Sequence, residues 1–234
     1  MFDLTGSTAL VTGSSMGIGN ALARGLAGAG ARVVLNGRNA ARLAEAAQAL
    51  RDAGHEVHEL PFDACDAETA AEAVNRFEAE QGPIDILVNN AGMQHRAPLE
   101  DFPIADFDRL MRTNVSSVFY VGQAVARHMI PRGAGKIINI ASVHGLVASV
   151  NKAPYVASKF GLVGMSKVAA LEYARAGSRA QGGVTVNCIA PGWTETAIIE
   201  PQVEARAAEF GGDRDKGIAD LLAEKQPSRR TSDP

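Results

Sequence analysis

Short apolar runs alternate with longer, alanine-rich amphipathic segments along most of this 234-residue chain, and that alternation limits its architecture more than any other feature. Runs at residues 8–12, 32–35, 56–62, 84–88, 136–140 and 184–189 read as strands, and segments at 17–29, 40–53, 67–80, 105–130 and 155–176 read as helices. The run at 84–88 is apolar apart from one Asp, the pattern of a strand buried on both faces. Parallel neighbours need crossovers, and right-handed crossovers put helices on both faces of the sheet. The expected fold is therefore α/β, a doubly wound parallel sheet. No internal repeat and no Gly-, Ser- or Pro-rich linker divides the chain, so residues 1–226 are expected to form one domain. Residues 177–183 read as a surface loop, and the polar residues 227–234 as a frayed tail.

Composition narrows the function classes. The length suffices for a sizeable core, and 46% hydrophobic with 21% charged residues excludes global disorder. With 23 basic against 26 acidic side chains there is no positive excess to neutralise a nucleic acid's phosphates. Cys65 and Cys188 are too few for a disulfide framework and lack the paired spacing of a structural zinc, which implies a reduced, metal-free protein. There is no leader pattern at the N-terminus and no run of about eighteen apolar residues, so the expected location is the cytoplasm, away from membranes.

The sharpest local signal is TGSSMGIG, directly after the first strand and opening the first helix. Its glycines let backbone approach a pyrophosphate, and the helix N-terminus supplies oriented N–H groups and partial positive charge. Gly13, Ser14, Ser15, Met16, Gly17, Ile18 and Gly19 are thus candidates for holding a dinucleotide; the plainer alternative is a turn that needs small residues for packing. The second strand ends in LNGR. An acidic residue there would hold a ribose 2′-hydroxyl, whereas Gly37 followed by Arg38 favours a 2′-phosphate, hence NADP over NAD, unless Arg38 is simply solvated. Tyr155 and Lys159 stand four apart at the start of a helix, one turn apart on one face. A fixed ammonium beside a phenol favours the phenolate and makes a usable base. Ser142 ends the fifth strand, at the sheet edge where open α/β sheets bind ligands, although a strand-end Ser also closes turns.

The set TGSSMGIG, NNAG at 89–92, Asn114, Ser142, YVASK at 155–159 and PGWTET at 191–196 resembles the short-chain dehydrogenases/reductases, over residues 4–227. The resemblance implies a Rossmann-like fold and an NAD(P)-dependent oxidoreductase acting on a CH–OH group. It implies that Ser142 steadies the substrate oxygen, that Tyr155 exchanges its proton, and that Lys159 tunes Tyr155 and holds the nicotinamide ribose. Asn114 would anchor a relay water behind the lysine. By the same resemblance Asp63 and Ala64 lie at the adenine, Asn90 and Gly92 along the ribose, and Pro191, Gly192, Thr194 and Thr196 near the carboxamide.

Closer resemblance divides along the chain. Up to Ser142 the wording is similar to bacterial gluconate 5-dehydrogenases, which commonly use NADP. From Ser142 onward it is similar to bacterial D-3-hydroxybutyrate dehydrogenases, which use NAD. In the latter a carboxylate is held at positions matching Gln94, His144, Lys152 and Gln202, and Trp193 walls the methyl pocket. A small hydroxy acid does need its charged end hydrogen-bonded as it leaves water; the plain alternatives are a solvated Lys152 and a His144 satisfying backbone groups. The expected substrate is 3-hydroxybutyrate or acetoacetate, with gluconate as the alternative and cofactor binding without turnover as a third reading. That third reading arises because these families continue through another helix and a final strand, whereas this sequence ends at SRRTSDP. The family's long paired helices imply a homodimer or homotetramer.

Overall fold

The computed structural model describes residues 2–196, 199–223 and 226–233. Strands β1 (Thr8–Val11), β2 (Arg32–Leu35), β3 (Val57–Glu59), β4 (Ile86–Asn89), β5 (Ala134–Ile140) and β6 (Gly183–Ile189) form one parallel sheet in the order β3-β2-β1-β4-β5-β6. Helices α1 (Gly17–Gly28), α2 (Ala40–Asp52), α3 (Ala67–Gln81), α4 (Ile104–Met111), α5 (Ser117–Arg132) and α6 (Ala153–Tyr173) make the crossovers. The expected doubly wound α/β fold is the fold observed. The strand order reverses between β1 and β4, and ligands bind such sheets at the carboxyl ends beside that reversal.

Alternation along each strand builds two cores. Ala9, Val11, Val33, Leu35 and Val88 pack with α1 and α2 on one face, while Leu10, Val34, Leu87 and Ile137 pack with α3 and α5 on the other. Helix starts follow from local chemistry: Asn39 caps α2 by accepting from Arg42 N, and Asp66 caps α3 by accepting from Glu68 N and Thr69 N.

The structure differs from expectation in several places. The segment 105–130 is not one α-helix, because residues Arg112–Ser116 widen into a π turn between α4 and α5. The third strand ends at Glu59 and not at residue 62, since the buried Asn36 amide takes the Leu60 and Phe62 carbonyls, both at 3.1 Å, in place of further ladder pairing. The fourth begins two residues late, at Ile86, with Asp85 still tied to both neighbours: its N–H donates to Thr8 O, its carbonyl accepts Lys136 N, and its carboxylate accepts Thr8 N at 2.9 Å.

The chain forms two compact units, Met1–Ala190 and Pro191–Pro234. The second is helical, with α7 (Glu200–Glu209) and α8 (Arg214–Leu222) burying Trp193, Ile199, Val203, Ile218, Leu221 and Leu222 together. Residues 231–232, expected to fray, instead bond back within this unit. Ser232 pairs with Thr194 in a parallel bridge, its N–H reaching Trp193 O at 2.8 Å while its carbonyl accepts Glu195 N at 2.9 Å. Among the described residues no helix is long and apolar enough to cross a membrane.

Candidate active site

The glycine turn between β1 and α1 is held open by buried polar contacts. Gly13 and Gly17 have φ of +62° and +58°, a region that favours glycine. A Cβ on Gly13 would lie 3.0 Å from Ala91 Cα, and one on Gly19 would lie 2.4 Å from both Asn90 Nδ2 and Gly13 O. The backbone therefore packs as closely as it can against residues 90–91. Thr12 Oγ1 accepts from Asn90 N at 2.9 Å and Ala91 N at 3.0 Å, and Asn90 Nδ2 donates to the carbonyls of Thr12 and Gly13. Ser14 is fully buried: its hydroxyl donates to Val11 O at 2.8 Å and accepts from Asn36 N at 3.0 Å, so its side chain braces the turn from inside. Ser15 and Ile18 are half-buried and Met16 is exposed. Helix α1 has no side-chain cap at Met16 and no acidic residue in its first turn, which leaves its leading N–H groups for an anion.

At the end of β2, Gly37 packs its bare Cα near Leu43 and Ser15, and Arg38 is exposed. The Arg38 charge reaches Cys65, in the loop with Asp63 and Ala64 after β3. Asp63 Oδ1 accepts Cys65 N at 2.9 Å, Ala64 is buried, and burial pushes the Cys65 thiol up.

The other end of the groove is built by three elements. Asn114, on the π turn, is completely buried; its Oδ1 accepts Met93 N at 2.8 Å while its Nδ2 donates to Met93 O and to Ser158 Oγ. Ser158 in turn donates to Tyr155 O at 2.7 Å. Lys159 Nζ donates to Ile140 O at 2.8 Å and stands 5.7 Å from the Tyr155 ring centre. A Cβ on Gly92 would lie 3.5 Å from Asn114 Oδ1 and 4.0 Å from Lys159 Nζ, so the bare backbone at 92 runs over the ammonium. Ser142 caps a short 3-10 turn (Val143–Gly145), accepting His144 N at 3.1 Å, and its hydroxyl donates to the Tyr155 oxygen. Gly145 lets that turn meet α6, since a Cβ there would lie 2.9 Å from Lys159 O.

Electrostatics differ from the sequence expectation in one respect. Burial holds the Tyr155 phenol above its usual value, and the Ser142 hydrogen bond only partly opposes it. Burial also draws Lys159 from 10.5 down to about 8, against a smaller upward pull from Cys188. Desolvation dominates, so at neutral pH Tyr155 carries its proton and can give it to a carbonyl oxygen.

Lys152, read from sequence as a loop cation, is only 3% exposed, at the N-terminal cap of α6. Its Nζ lies 3.2 Å from His144 Nε2, and the His144 ring meets Tyr155 edge-on with centres 6.0 Å apart. Gln94 is half-buried on the segment pinned by Met93 to Asn114 and by Ala97 N to Asn151 O. Pro191, Gly192, Trp193, Thr194, Thr196 and Gln202 belong to the second unit, where Trp193 is in the core, Thr194 in the bridge and Gln202 on α7. Thr12, Asn36 and Ser158 form the brace of the site. Each sits inside TGSSMGIG, LNGR or YVASK, but as a lone Thr, Asn or Ser to which spacing alone gives no task.

The profile of the short chain dehydrogenase family matches residues 7–207. The chain belongs to that family. It is similar to gluconate 5-dehydrogenase of Gluconobacter oxydans (strain 621H), 45% identical over 230 residues, 98% of this chain and 84% of that protein. It is also similar to D-beta-hydroxybutyrate dehydrogenase of Cupriavidus necator, 43% identical over 225 residues, 96% of this chain and 85% of that one. Among solved structures, a gluconate 5-dehydrogenase from Burkholderia cenocepacia J2315 in complex with NADP and tartrate superposes with a TM-score of 0.89 at 43% identity, covering 99% of this chain and 85% of that one. This short-chain dehydrogenase is thus an NAD(P)-dependent oxidoreductase acting on a CH–OH group. Its residues fit a nicotinamide dinucleotide on their own terms: the side-chain-free strip from Gly13 to Gly92 ends at a buried ammonium, and the uncapped start of α1 stands at its head.

Proposed function

We propose that this short-chain dehydrogenase interconverts a small 3-hydroxy acid, of the size of 3-hydroxybutyrate, and its oxo acid with NADP(H). The observation that carries the substrate class is the buried Lys152 ammonium at 3.2 Å from His144 Nε2, beside the Tyr155 ring. A carboxylate brought against this pair meets a cation whose field is little screened, where an uncharged alcohol gains nothing comparable. Gln94 on the neighbouring segment would supply an amide donor, and Gln202 and Trp193 belong to the same reading through the family resemblance.

The chemistry of the chain's own groups follows from the geometry. Ser142 Oγ and Tyr155 Oη stand within hydrogen-bonding reach of each other, and with substrate bound the Ser142 proton would turn from Tyr155 to the substrate oxygen, to which Tyr155 Oη also donates. In reduction Tyr155 Oη gives its proton to that oxygen as the carbonyl becomes an alcohol; in oxidation it takes the proton back. Lys159 holds positive charge next to the phenol while donating to Ile140 O, and Asn114 fixes α6 through Ser158. The bound nicotinamide supplies the hydride acceptor or donor. Arg38 supports NADP, as the exposed cation where a 2′-phosphate would lie; Asp63, Ala64 and Asn90 would line the adenosine half, and Pro191, Gly192, Thr194 and Thr196 the carboxamide side.

A second reading, a polyol acid such as gluconate, is supported by the gluconate 5-dehydrogenases to which the chain is 45% and 43% identical. Both acids carry a carboxylate, and replacing Lys152 tests whether this site reads it. Lys152→Ala should raise KM for a hydroxy acid about 10- to 100-fold, the size of one charge-assisted hydrogen bond, while changing KM for an uncharged secondary alcohol less than about 3-fold. Equal effects on both would remove Lys152 from carboxylate recognition.

A further inference from the structure

A buried polar row crosses the sheet beneath the Tyr155–Lys159 pair, and the proton-exchange role of that pair does not use it. Asn89, Asn139 and Cys188 are in register on β4, β5 and β6. Asn89 Nδ2 donates to Asn139 Oδ1 at 2.9 Å, and Asn139 Nδ2 donates to Ser166 Oγ at 2.8 Å. Cys188 Sγ donates to the same Ser166 Oγ at 3.1 Å, and Ser166 donates to Leu162 O at 2.7 Å. A serine hydroxyl has one proton and two acceptor lone pairs, so Ser166 is saturated and its position is defined from three directions.

The row ends where the site begins. Asn139 immediately precedes Ile140, whose carbonyl receives Lys159 Nζ, and Ser166 lies seven residues, about two turns, beyond Lys159 on the same face of α6. Along that face Ser158, Lys159, Leu162 and Ser166 are all buried, so α6 is tied to the sheet by polar contacts on both sides of Lys159. Apolar packing alone tolerates small sliding of a helix, whereas directional hydrogen bonds between groups buried from water do not. Of the helices facing the sheet, α6 most needs a fixed height, because it carries the pair.

We infer that Ser166, held by Asn139 and Cys188, is a positioning residue for Lys159: it sets the height of α6 on the sheet so that the ammonium stays on Ile140 O and beside Tyr155. The inference rests on the proposed proton exchange at Tyr155. Loss of the hydroxyl lets α6 shift by a fraction of an ångström, moves the ammonium off Ile140 O and the phenol, and makes the ammonium easier to deprotonate.

The experiment compares Ser166→Val with Ser166→Thr. The two side chains have nearly the same bulk, so packing burdens are shared and only the hydroxyl differs. Carbonyl reduction is followed from pH 6 to 10.5, with cofactor affinity measured separately. The expected result is that Ser166→Val lowers kcat about 10-fold and moves the alkaline fall of kcat, near pH 8 in the wild type, downward by about one pH unit, with cofactor Kd changed less than about 3-fold, while Ser166→Thr restores both kcat and midpoint. A kcat loss with an unmoved midpoint, or the same loss in both variants, would show a structural role only and overturn the inference. Should Ser166→Val not fold, Cys188→Ala removes one donor at a partly exposed position, and a midpoint unchanged from wild type there overturns it equally. Tyr155→Phe run alongside distinguishes the failures. If it retains turnover, the proton-exchange reading itself is wrong; if it is inactive while Ser166→Val behaves as wild type, only the positioning role is.

Discussion

At the scale of single residues, the site rests on burying two cations, Lys152 and Lys159, at 3% and 5% exposure. Burial draws Lys159 from 10.5 to about 8, which couples its charge to stability. The unfolded chain binds more protons than the folded one between these values, so the contribution of this group to stability rises with pH from about 8 to about 10.5. The full difference is on the order of 3 kcal/mol. Urea unfolding should accordingly show wild type gaining on Lys159→Met as pH rises from 7.5 to 10, even though the variant is inactive. A constant gap would mean that Lys159 is not held near 8. Function follows the same group in the opposite sense. Reduction needs both the Tyr155 proton and the Lys159 charge, so its rate should fall as pH rises through about 8; a rate flat from pH 7 to 9.5 would contradict this. Legibility at this scale was uneven. Tyr155 and Lys159 could be read from spacing because a helix puts i and i+4 together. The balance of their proton affinities could not, since it depends on desolvation that only the packed structure defines.

At the scale of elements, the glycine turn was legible because its geometry forces its composition. No side chain fits where a Cβ on Gly19 would lie 2.4 Å from both Asn90 Nδ2 and Gly13 O. Gly19→Ala should therefore distort the turn and weaken dinucleotide binding at least 10-fold by calorimetry, with far-UV circular dichroism retained. Binding within 3-fold of wild type would show that the turn does not seat the phosphates. The brace behind it was not legible. Asn36 and Thr12 are single polar residues at strand ends, and nothing in the sequence distinguishes a strand-end Asn in solvent from one that takes the Leu60 and Phe62 carbonyls. The π turn at Arg112–Ser116 was hidden for a related reason: widening a helix by one residue leaves its composition helical, and only Asn114's contacts with Met93 and Ser158 reveal it.

At the scale of the whole molecule, the alternation of apolar runs specified a doubly wound sheet because strand period and crossover handedness leave few other arrangements. The second unit was harder to foresee. Its core draws on Trp193 and short apolar stretches of α7 and α8, set among charged residues that give weak periodicity. One surface points beyond the single chain. Ala157, Phe160, Gly161, Gly164, Val168 and Leu171 are exposed on α6 and recur at helical spacing, a face with no charge among them. A second copy of this chain is expected to cover it. Leu171→Lys with Val168→Lys should lower the mass seen in sedimentation while leaving the fold intact; a wild type that sediments as a monomer at micromolar concentration would refute the assembly.

The central claim is a nicotinamide-dependent oxidation of a small hydroxy acid, and absorbance at the reduced-nicotinamide band tests it most directly. Purified protein is offered D-3-hydroxybutyrate or gluconate, each with NAD and NADP in turn. The account predicts turnover with D-3-hydroxybutyrate, faster with NADP than with NAD. Turnover with gluconate alone would contradict the assignment of a small 3-hydroxy acid, and bound cofactor with no turnover of either acid would contradict the claim itself.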